Sequence, residues 1–516
     1  MKHIIAALIV LFFIEILNNS IRAQQVSTLY FIENAPERNY LNPAFQPLTQ
    51  FYLSLPVVGF TQFDVGNNSL ALKDFIYSRN GNNISFLNKD GDVNTFYRHI
   101  RHNMVVRADL QTNLLAFGFR HNQTYWNFSL SEKINGMVAV PKDAFKLALY
   151  GTPDINTNKY NFATMQTDMT AYTELAAGLS RQEDEQLTIG AKLKLLLGNV
   201  NISNTNKVAR LYAGFDKWVL NMNGSVNVSA PVAYMVDSGY QSVSVSLNNR
   251  VDDWLKPAGL GAGVDVGAVY RLNDKLTLSG AIIDLGFIRW TKNTQNFNYT
   301  SDLTYDGITQ QTANATNLQN IIDRITTRNY VSDSLNNVLQ TAIVSRRSYN
   351  HYFTGTTAKI NMGAEYALFD NTLSFGLLSF SSIFKRTITE ELTASINYRP
   401  FNWINASLSY SAFNGRFGSL GAGLGLKTGF MHWLVAADYI PAERTTFSPS
   451  YINPSYSTIK IQAPYNIPRF NLAIGMSIVI DKSDDEHYNS TGIGSYKKSK
   501  GPLSYRKKND CNCETY

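Results

Sequence analysis

Apolar and polar residues alternate one by one over long stretches of this chain. Leu187, Ile189, Ala191, Leu193, Leu195 and Leu197 fall on one face of an extended segment, with Thr188, Gly190, Lys192 and Lys194 on the other. Leu392, Ala394, Ile396 and Tyr398 alternate with Thr393, Ser395, Asn397 and Arg399, and Pro400-Phe401-Asn402-Trp403 then turns the chain. The following segment alternates Ile404, Ala406, Leu408 and Tyr410 with Asn405, Ser407 and Ser409, which spells an antiparallel hairpin. Leu420 to Leu426, Trp433 to Tyr439 and Phe470 to Ile480 repeat the pattern. About 14 such strands are expected, which lies within the range known for membrane barrels.

Alternation alone suits a soluble sandwich as well as a membrane barrel. Three features favour the barrel. Tyr160 to Ser180 and Lys207 to Ser229 read as strands far longer than the usual five or six residues or so. The polar faces are rich in Gly, Ser, Asn and Thr, as a wet lumen would be. Trp126, Trp290, Tyr398, Trp403, Trp433 and Tyr439 lie near strand ends, where interfacial aromatic girdles occur. Short turns are expected at Arg181 to Gln186, Leu272 to Lys275, Phe369 to Thr372 and Asn414 to Phe417. Longer connections are expected at Pro141 to Asn158, Pro231 to Pro257, Phe297 to Tyr352 and Pro441 to Pro468. Within the longest, Leu318, Ile321, Ile322 and Ile325, and then Leu335, Val338, Leu339 and Ile343, follow a helical period, so two short helices are predicted. A third is predicted over Val93 to His102.

The N-terminus adds an address. Lys2 and His3 precede an apolar run from Ile4 to Ile14, followed by a polar stretch to Ala23, the layout of a secretory signal peptide. That run is too short to span a bilayer as a helix. Charged residues make up only 16% of the 516-residue chain and aromatics 12%, which excludes disorder for most of it. The formal net charge of +7 is scattered except in the tail from Lys497 to Lys508, so a nucleic-acid-binding surface is not expected. The two cysteines, Cys511 and Cys513, are too close together for an ordinary disulfide and leave the body of the protein without a covalent staple.

Leu41-Asn42-Pro43-Ala44-Phe45 resembles the Asn-Pro-Ala signature of FadL-like outer-membrane transporters, with Phe45 where those proteins commonly carry glycine. Leu114 to His121, Ile282 to Trp290 and Ile360 to Phe369 are similar to stretches of an uncharacterised family of Gram-negative outer-membrane barrels. The resemblance implies a barrel of fourteen strands with an N-terminal hatch inside it, and Asn42, Pro43, Ala44 and Phe45 become the hatch candidates. Read from the residues alone, Asn42-Pro43 is equally a turn that leads into the first strand.

The expected architecture is thus all-β: an antiparallel transmembrane barrel with a plug-like N-terminal segment. Residues 1–23 form the signal peptide, 24–50 the plug and 51–480 the barrel, with a partly helical connection over 297–352. A flexible basic tail covers 481–516. Arg120, Lys192, Lys194, Glu391, Arg399 and Asp438 fall at polar-face positions and are candidates to set the lumen field. No nucleophile, base and orienting group can be assembled. His99 and His102 lack a third ligand, so no metal or other cofactor is expected, and His432 with Ser407 or Ser409 is the only trace of a lipid-acting enzyme. The leading expectation is a Gram-negative outer-membrane channel or transporter, surrounded by outer-membrane lipid, for small molecules and in particular hydrophobic ones. The alternative is a docking barrel of a secretion or surface-assembly machine that binds a protein partner through its loops or tail.

Overall fold

The computed structural model describes residues 26–56, 58–79, 82–152, 158–213, 218–236, 243–247, 256–305, 344–384, 387–413, 416–440, 444–447, 461–464 and 469–481. The expected signal peptide, the basic tail with Cys511 and Cys513, and the two helices predicted within 306–343 lie outside the described residues.

Fourteen antiparallel strands close on themselves, counting collinear segments as one strand. Strand β1 comprises Phe51–Ser54 and Phe60–Asn67, and is followed by β2 (Asn103–His121), β3 (Thr124–Pro141), β4 (Gln166–Gln182) and β5 (Leu187–Ala213). Strand β6 comprises Trp218–Ser229 and Gly259–Arg271, β7 Leu276–Trp290 and Thr294–Tyr305, and β8 Val344–Ser348, Tyr352–Gly355 and Ala358–Leu368. The remainder are β9 (Leu373–Phe384), β10 (Thr387–Phe401), β11 (Ile404–Phe413), β12 (Arg416–Thr428), β13 (Met431–Ile440) and β14 (Arg469–Ile480). The seam is β14 against β1, with Phe51 opposite Ile480. Closure gives the strands partners on both sides, the condition for a sheet in lipid.

Burial is inverted relative to a water-soluble protein. On β5, Lys192 is 2% exposed while Leu193 beside it is 72% exposed. The same alternation sets Ser407 and Ser409 inside and Leu408 outside on β11. Apolar side chains therefore face the lipid and polar ones the lumen, as the alternation predicts.

Short turns join β2 to β3, β4 to β5, β6 to β7, β8 to β9, β10 to β11 and β12 to β13 at one end of the barrel, which also holds both ends of the seam. Exposed Phe119, Trp126, Phe369, Phe401, Trp403, Phe430 and Trp433 ring this turn end. Trp290 and Tyr439 depart from the girdle expectation, because both point inward and are buried. Trp290 packs with Tyr172, Leu196 and Ile288 in the lumen.

The opposite, loop end is irregular. The upper halves of β5, β6 and β7 continue beyond the barrel as a sheet extension, paired from Ala213 opposite Trp218 to Ser229 opposite Thr294. The stretch from Lys207 to Ser229 is thus the top of β5 and the upper part of β6 joined as a hairpin. Tyr160 belongs to a separate short strand (Lys159–Asn161) ahead of β4. The expected partly helical connection over 297–352 is narrower than predicted, since β7 runs to Tyr305 and β8 begins at Val344. Helices α1 (Leu72–Phe75), α2 (Val93–His99) and α3 (Lys142–Tyr150) pack at this end, and α2 falls where a helix was predicted. Its Asp92 cap accepts a hydrogen bond from the Thr95 amide at 2.8 Å.

A plug seated in a polar barrel

Residues 26–50 run inside the barrel and are almost wholly buried. Two short 3-10 helices, Ser27–Phe31 and Pro36–Tyr40, fold the segment back on itself. Their apolar side chains Leu29, Tyr30, Phe31, Ile32, Leu41 and Phe45 gather into one cluster with Val269, Leu378 and Leu434 of the wall. The plug thus shares a small apolar core with the wall, and its remaining backbone and polar groups meet polar wall positions.

The hatch candidates make a tight turn. The Phe45 amide donates to the Asn42 carbonyl at 3.0 Å, and the Asn42 side chain accepts from the Ala44 amide at 2.9 Å. The Asn42 amide group reaches the wall at the Ala268 and Gly280 carbonyls, at 3.4 and 3.3 Å. Phe45 meets the Tyr30 ring edge-on at 4.9 Å, with the Arg38 guanidinium 4.1 Å from its ring centre.

Glycine makes this approach possible. A Cβ on Gly190 would lie 2.3 Å from the Pro43 carbonyl oxygen, and one on Gly421 would lie 2.5 Å from the Thr28 hydroxyl. Gly363, Gly376, Gly423 and Gly425 face other plug residues in the same way, so the glycines of the polar strand faces form a socket.

Five of the six charges predicted to line the lumen touch the plug. Arg120 donates to the Gln46 side chain and the Pro47 carbonyl at 2.5 and 2.7 Å. Lys192 donates to the backbone and side-chain oxygens of Asn39, both at 2.8 Å. Glu391 accepts from Ser27 at 3.0 Å and from the Tyr439 hydroxyl at 2.6 Å, with Arg469 at 3.6 Å. Arg399 bridges the Phe31 carbonyl at 3.0 Å and Glu365 at 2.5 Å. Asp438 accepts from the Thr28 amide at 3.3 Å and from its hydroxyl. Asn361 adds a contact not anticipated from the sequence, donating to the Leu41 carbonyl at 2.6 Å.

The sixth charge, Lys194, belongs to a different structure just above the plug. It lies 2.7 Å from Asp265, 2.6 Å from Asp284 and 3.6 Å from Glu174. Lys133 sits 2.9 Å from both Glu174 and Asp284, and Lys359 is 3.4 Å from Asp284. Asp284 adopts φ +59° within strand β7, where β6 and β7 shift register between Val264 and Val266. Its amide donates to the Asp265 carboxylate at 2.7 Å and its carbonyl accepts from Thr356 at 2.5 Å, so neighbouring side chains hold the left-handed conformation.

The plug interface is less completely paired. Among the described residues, Glu33 Oε1, Asn34 Oδ1, Glu37 Oε2, Ser395 Oγ, Asn405 Oδ1 and both ring nitrogens of His432 are buried without a hydrogen-bond partner. The second oxygen of Glu37 accepts from Ser477 at 2.8 Å, and burial pushes the Glu37 carboxyl up to about 7. Burial also raises Glu33 to about 7, against the opposing pull of Arg399 and Arg38. Beside Glu37 the wall is interrupted: β1 breaks between Ser54 and Phe60, and the ladder to β14 resumes where the Met476 amide donates to the Gly59 carbonyl at 2.9 Å.

No group of three or more potential metal ligands occurs among the described residues. His99 instead meets Asp74 at 2.7 Å. The structure does not bring His432 to Ser407 or Ser409, which bond to Asn397 and Thr28 respectively.

Fold and interior together define a plugged, fourteen-stranded transmembrane-type β-barrel. The chain belongs to a family of unknown function (DUF5723), whose model matches residues 43–438. No curated protein matches its sequence. Among solved structures it is similar to a Pseudomonas aeruginosa FadL homologue, with 14% identity over 89% of this chain and 96% of that one and a TM-score of 0.38. The P. putida toluene transporter TodX gives 9% identity over 90% and 96%, with a TM-score of 0.37. The translocator domain of the Neisseria meningitidis autotransporter NalP gives 8% identity over 83% and 88%, with a TM-score of 0.25. Scores this low carry no functional argument.

Proposed function

We propose that this protein is an outer-membrane transporter for small molecules in which the N-terminal segment is a displaceable plug. The turn end faces the periplasm in this reading, since the short turns and the outer ends of the first and last strands, Phe51 and Ile480, gather there. The observation that carries the proposal is the contrast inside the plug. Its apolar residues pack on one another and on a few wall residues, Phe60, Val269, Leu378 and Leu434 among them, whereas its other contacts with the wall are hydrogen bonds. A hydrogen bond of this kind, exchanged for one to water, contributes only about 0.5–1.5 kcal/mol net. A seat of this kind favours rearrangement far more than a dry apolar one does.

The test is a lock. Thr28 and Ser409 have their hydroxyls 2.6 Å apart across the plug and β11. A Thr28→Cys, Ser409→Cys pair, made with Cys511 and Cys513 replaced by serine, is expected to abolish solute uptake into liposomes when oxidised and to restore it on reduction. Equal uptake in the oxidised and reduced forms would refute the plug as a gate.

For a hydrophobic cargo, a matching surface among the described residues is the apolar groove between α3 and the sheet extension, lined by Leu147, Phe162, Met165, Leu220 and Met222. That groove also supports the second reading, a docking barrel that holds a protein partner at its loop end. Leu220→Asp should then abolish co-purification of the partner and leave uptake unchanged.

A further inference from the structure

Inside the lumen, Lys133, Glu174, Lys194, Asp265, Asp284 and Lys359 form a charged belt in which every member has an opposite charge beside it. The outer face of the same wall carries a carboxylate that has none. Ser131 and Lys133 of β3 are buried in the lumen, so Glu132 between them points out of the barrel. Leu130 and Ile134 flank it on that face, with exposed Trp126 further toward the turn end and exposed Val138 further toward the loop end. Glu132 thus sits within the apolar surface that meets lipid, where an ionisable group is costly and commonly functional.

Its neighbours are polar but neutral. The strand register sets Thr61 of β1 opposite Thr112 of β2, Thr112 opposite Glu132, and Glu132 opposite Thr173 of β4, a polar row across the lipid face. Thr173 donates to one Glu132 oxygen at 2.7 Å and the Asn199 side chain to the other at 3.2 Å, while Thr61 and Thr112 bond to each other at 2.8 Å. Among the described residues no cation pairs with Glu132, and Asn199 keeps its own Oδ1 buried without a donor. The cluster holds a negative charge and more acceptors than donors.

Immediately toward the turn end, the lipid face is grooved. Ala177 of β4 stands opposite Phe128 on one side and Leu193 on the other, and its short side chain leaves a slot between two large ones. The groove measures about 550 Å³, and its lining includes Leu130 and Leu175, paired in the row between the slot and Glu132. An apolar body in the groove and a donor-rich cation at the carboxylate satisfy both halves of this surface at once. A carboxylate ligand is repelled, an uncharged one leaves the charge unmatched, and a second copy of the chain offers along this row only the same carboxylate and neutral groups.

We propose that this groove and Glu132 form a lipid-facing binding site for apolar primary amines, with the ammonium donating to Glu132 and the hydrocarbon body lying in the slot over Ala177. The site is outside the lumen, so it stands or falls independently of the plug.

Native mass spectrometry of the full chain in non-ionic detergent tests this with five probes: dodecylamine, dodecanol, dodecanoate, dodecyltrimethylammonium and butylamine. Dodecylamine is expected to form a saturable one-to-one complex. The other four lack, in turn, the charge, its sign, the N–H donors and the apolar body, and each should bind at least roughly tenfold more weakly. Glu132→Gln keeps the shape of the side chain and removes its charge, and Ala177→Phe fills the slot. Each should weaken dodecylamine binding roughly tenfold or more. Both positions face lipid, and heat-modifiable migration on gels confirms that each variant is folded. Equal binding of dodecanol or dodecanoate, or undiminished dodecylamine binding in either variant, would overturn the inference. Dodecylamine association that rises without saturation, as partition into the micelle does, would overturn it as well.

Discussion

The plug seat and the charged belt are adjacent layers of one lumen, yet they are built on opposite principles. In the belt every charge meets opposite charges, mostly at 2.6–2.9 Å, and the backbone is bent at Asp284 to bring this about. In the seat the contacts are chiefly single hydrogen bonds to carbonyls and hydroxyls, and several buried oxygens are left without a donor. Removing one partner from a saturated ionic layer strands a buried charge, whereas breaking one contact of an under-saturated polar layer changes little. On the proposed gating, the belt is the fixed part of the lumen and the plug the part that moves.

The largest effect is expected where the belt loses its hub. Asp284→Ala removes the carboxylate that Lys133, Lys194 and Lys359 share, leaves Lys133 with Glu174 and Lys194 with Asp265 and Glu174, and places a non-glycine residue at φ +59° with no side chain of its own to hold it. A loss of about 3–5 kcal/mol is expected, read from the midpoint of urea unfolding in micelles. Asp284→Gly, which relieves the backbone but not the charges, should recover only about 1 kcal/mol. Recovery to wild type would show that strain, and not charge, decides the site.

A smaller effect is expected in the socket. Gly421→Val puts a branched side chain where even a Cβ lies 2.5 Å from the Thr28 hydroxyl. About 1–3 kcal/mol of overpacking should unseat the plug while the barrel survives. The measurement is protease cleavage within residues 26–50 in a barrel that still shows heat-modifiable migration. Global unfolding in its place would make the plug part of the barrel's stability and collapse the distinction between the two layers.

The smallest effect, taken over any one pH unit, is a pH dependence of the seat. Seated Glu37 has its carboxyl held at about 7 by burial, above the ordinary 4.5, so the seated form retains a proton that a released, hydrated plug gives up. Below pH 4.5 both forms are protonated and nothing changes. Between about 4.5 and 7 release is favoured by up to about 1.4 kcal/mol per pH unit, and above 7 the effect levels off. Leak through the barrel should rise over that window and flatten there in Glu37→Gln, with the residual slope assigned to Glu33. An unchanged slope in Glu37→Gln would remove Glu37 from the mechanism.

Sequence reading reached the wall more easily than its contents, for a physical reason. Alternation such as Leu187 to Leu197 is enforced locally, by lipid on one side and a polar lumen on the other, so it is written residue by residue. The same rule exposed Lys192, Lys194, Glu391, Arg399 and Asp438 as polar-face charges. Their partners were not legible, because Ser27, Thr28 and Phe31 meet residues from the opposite end of the chain. Trp290 and Tyr439 misled because position near a strand end does not fix facing. Asp284 gives no local sign of its left-handed backbone, which the neighbouring strands impose. The hairpin at the top of β5 was read as one strand because its apolar residues continue on both sides of the bend.

The seam gives the plug a history. Phe51 opens the strand that closes against Ile480, and Gln50 donates its amide to the Ile480 carbonyl at 2.8 Å, so the plug is tethered at the very edge that is joined last in sequence terms. A chain whose first and last strands must find each other forms its most distant contact at closure. The plug is attached to one lip of that joint, and a ring closed around it needs no later threading through a completed pore. On that route the N-terminal segment is enclosed by the act of assembly, and a barrel matured without it is a different folding problem from the same barrel emptied afterwards.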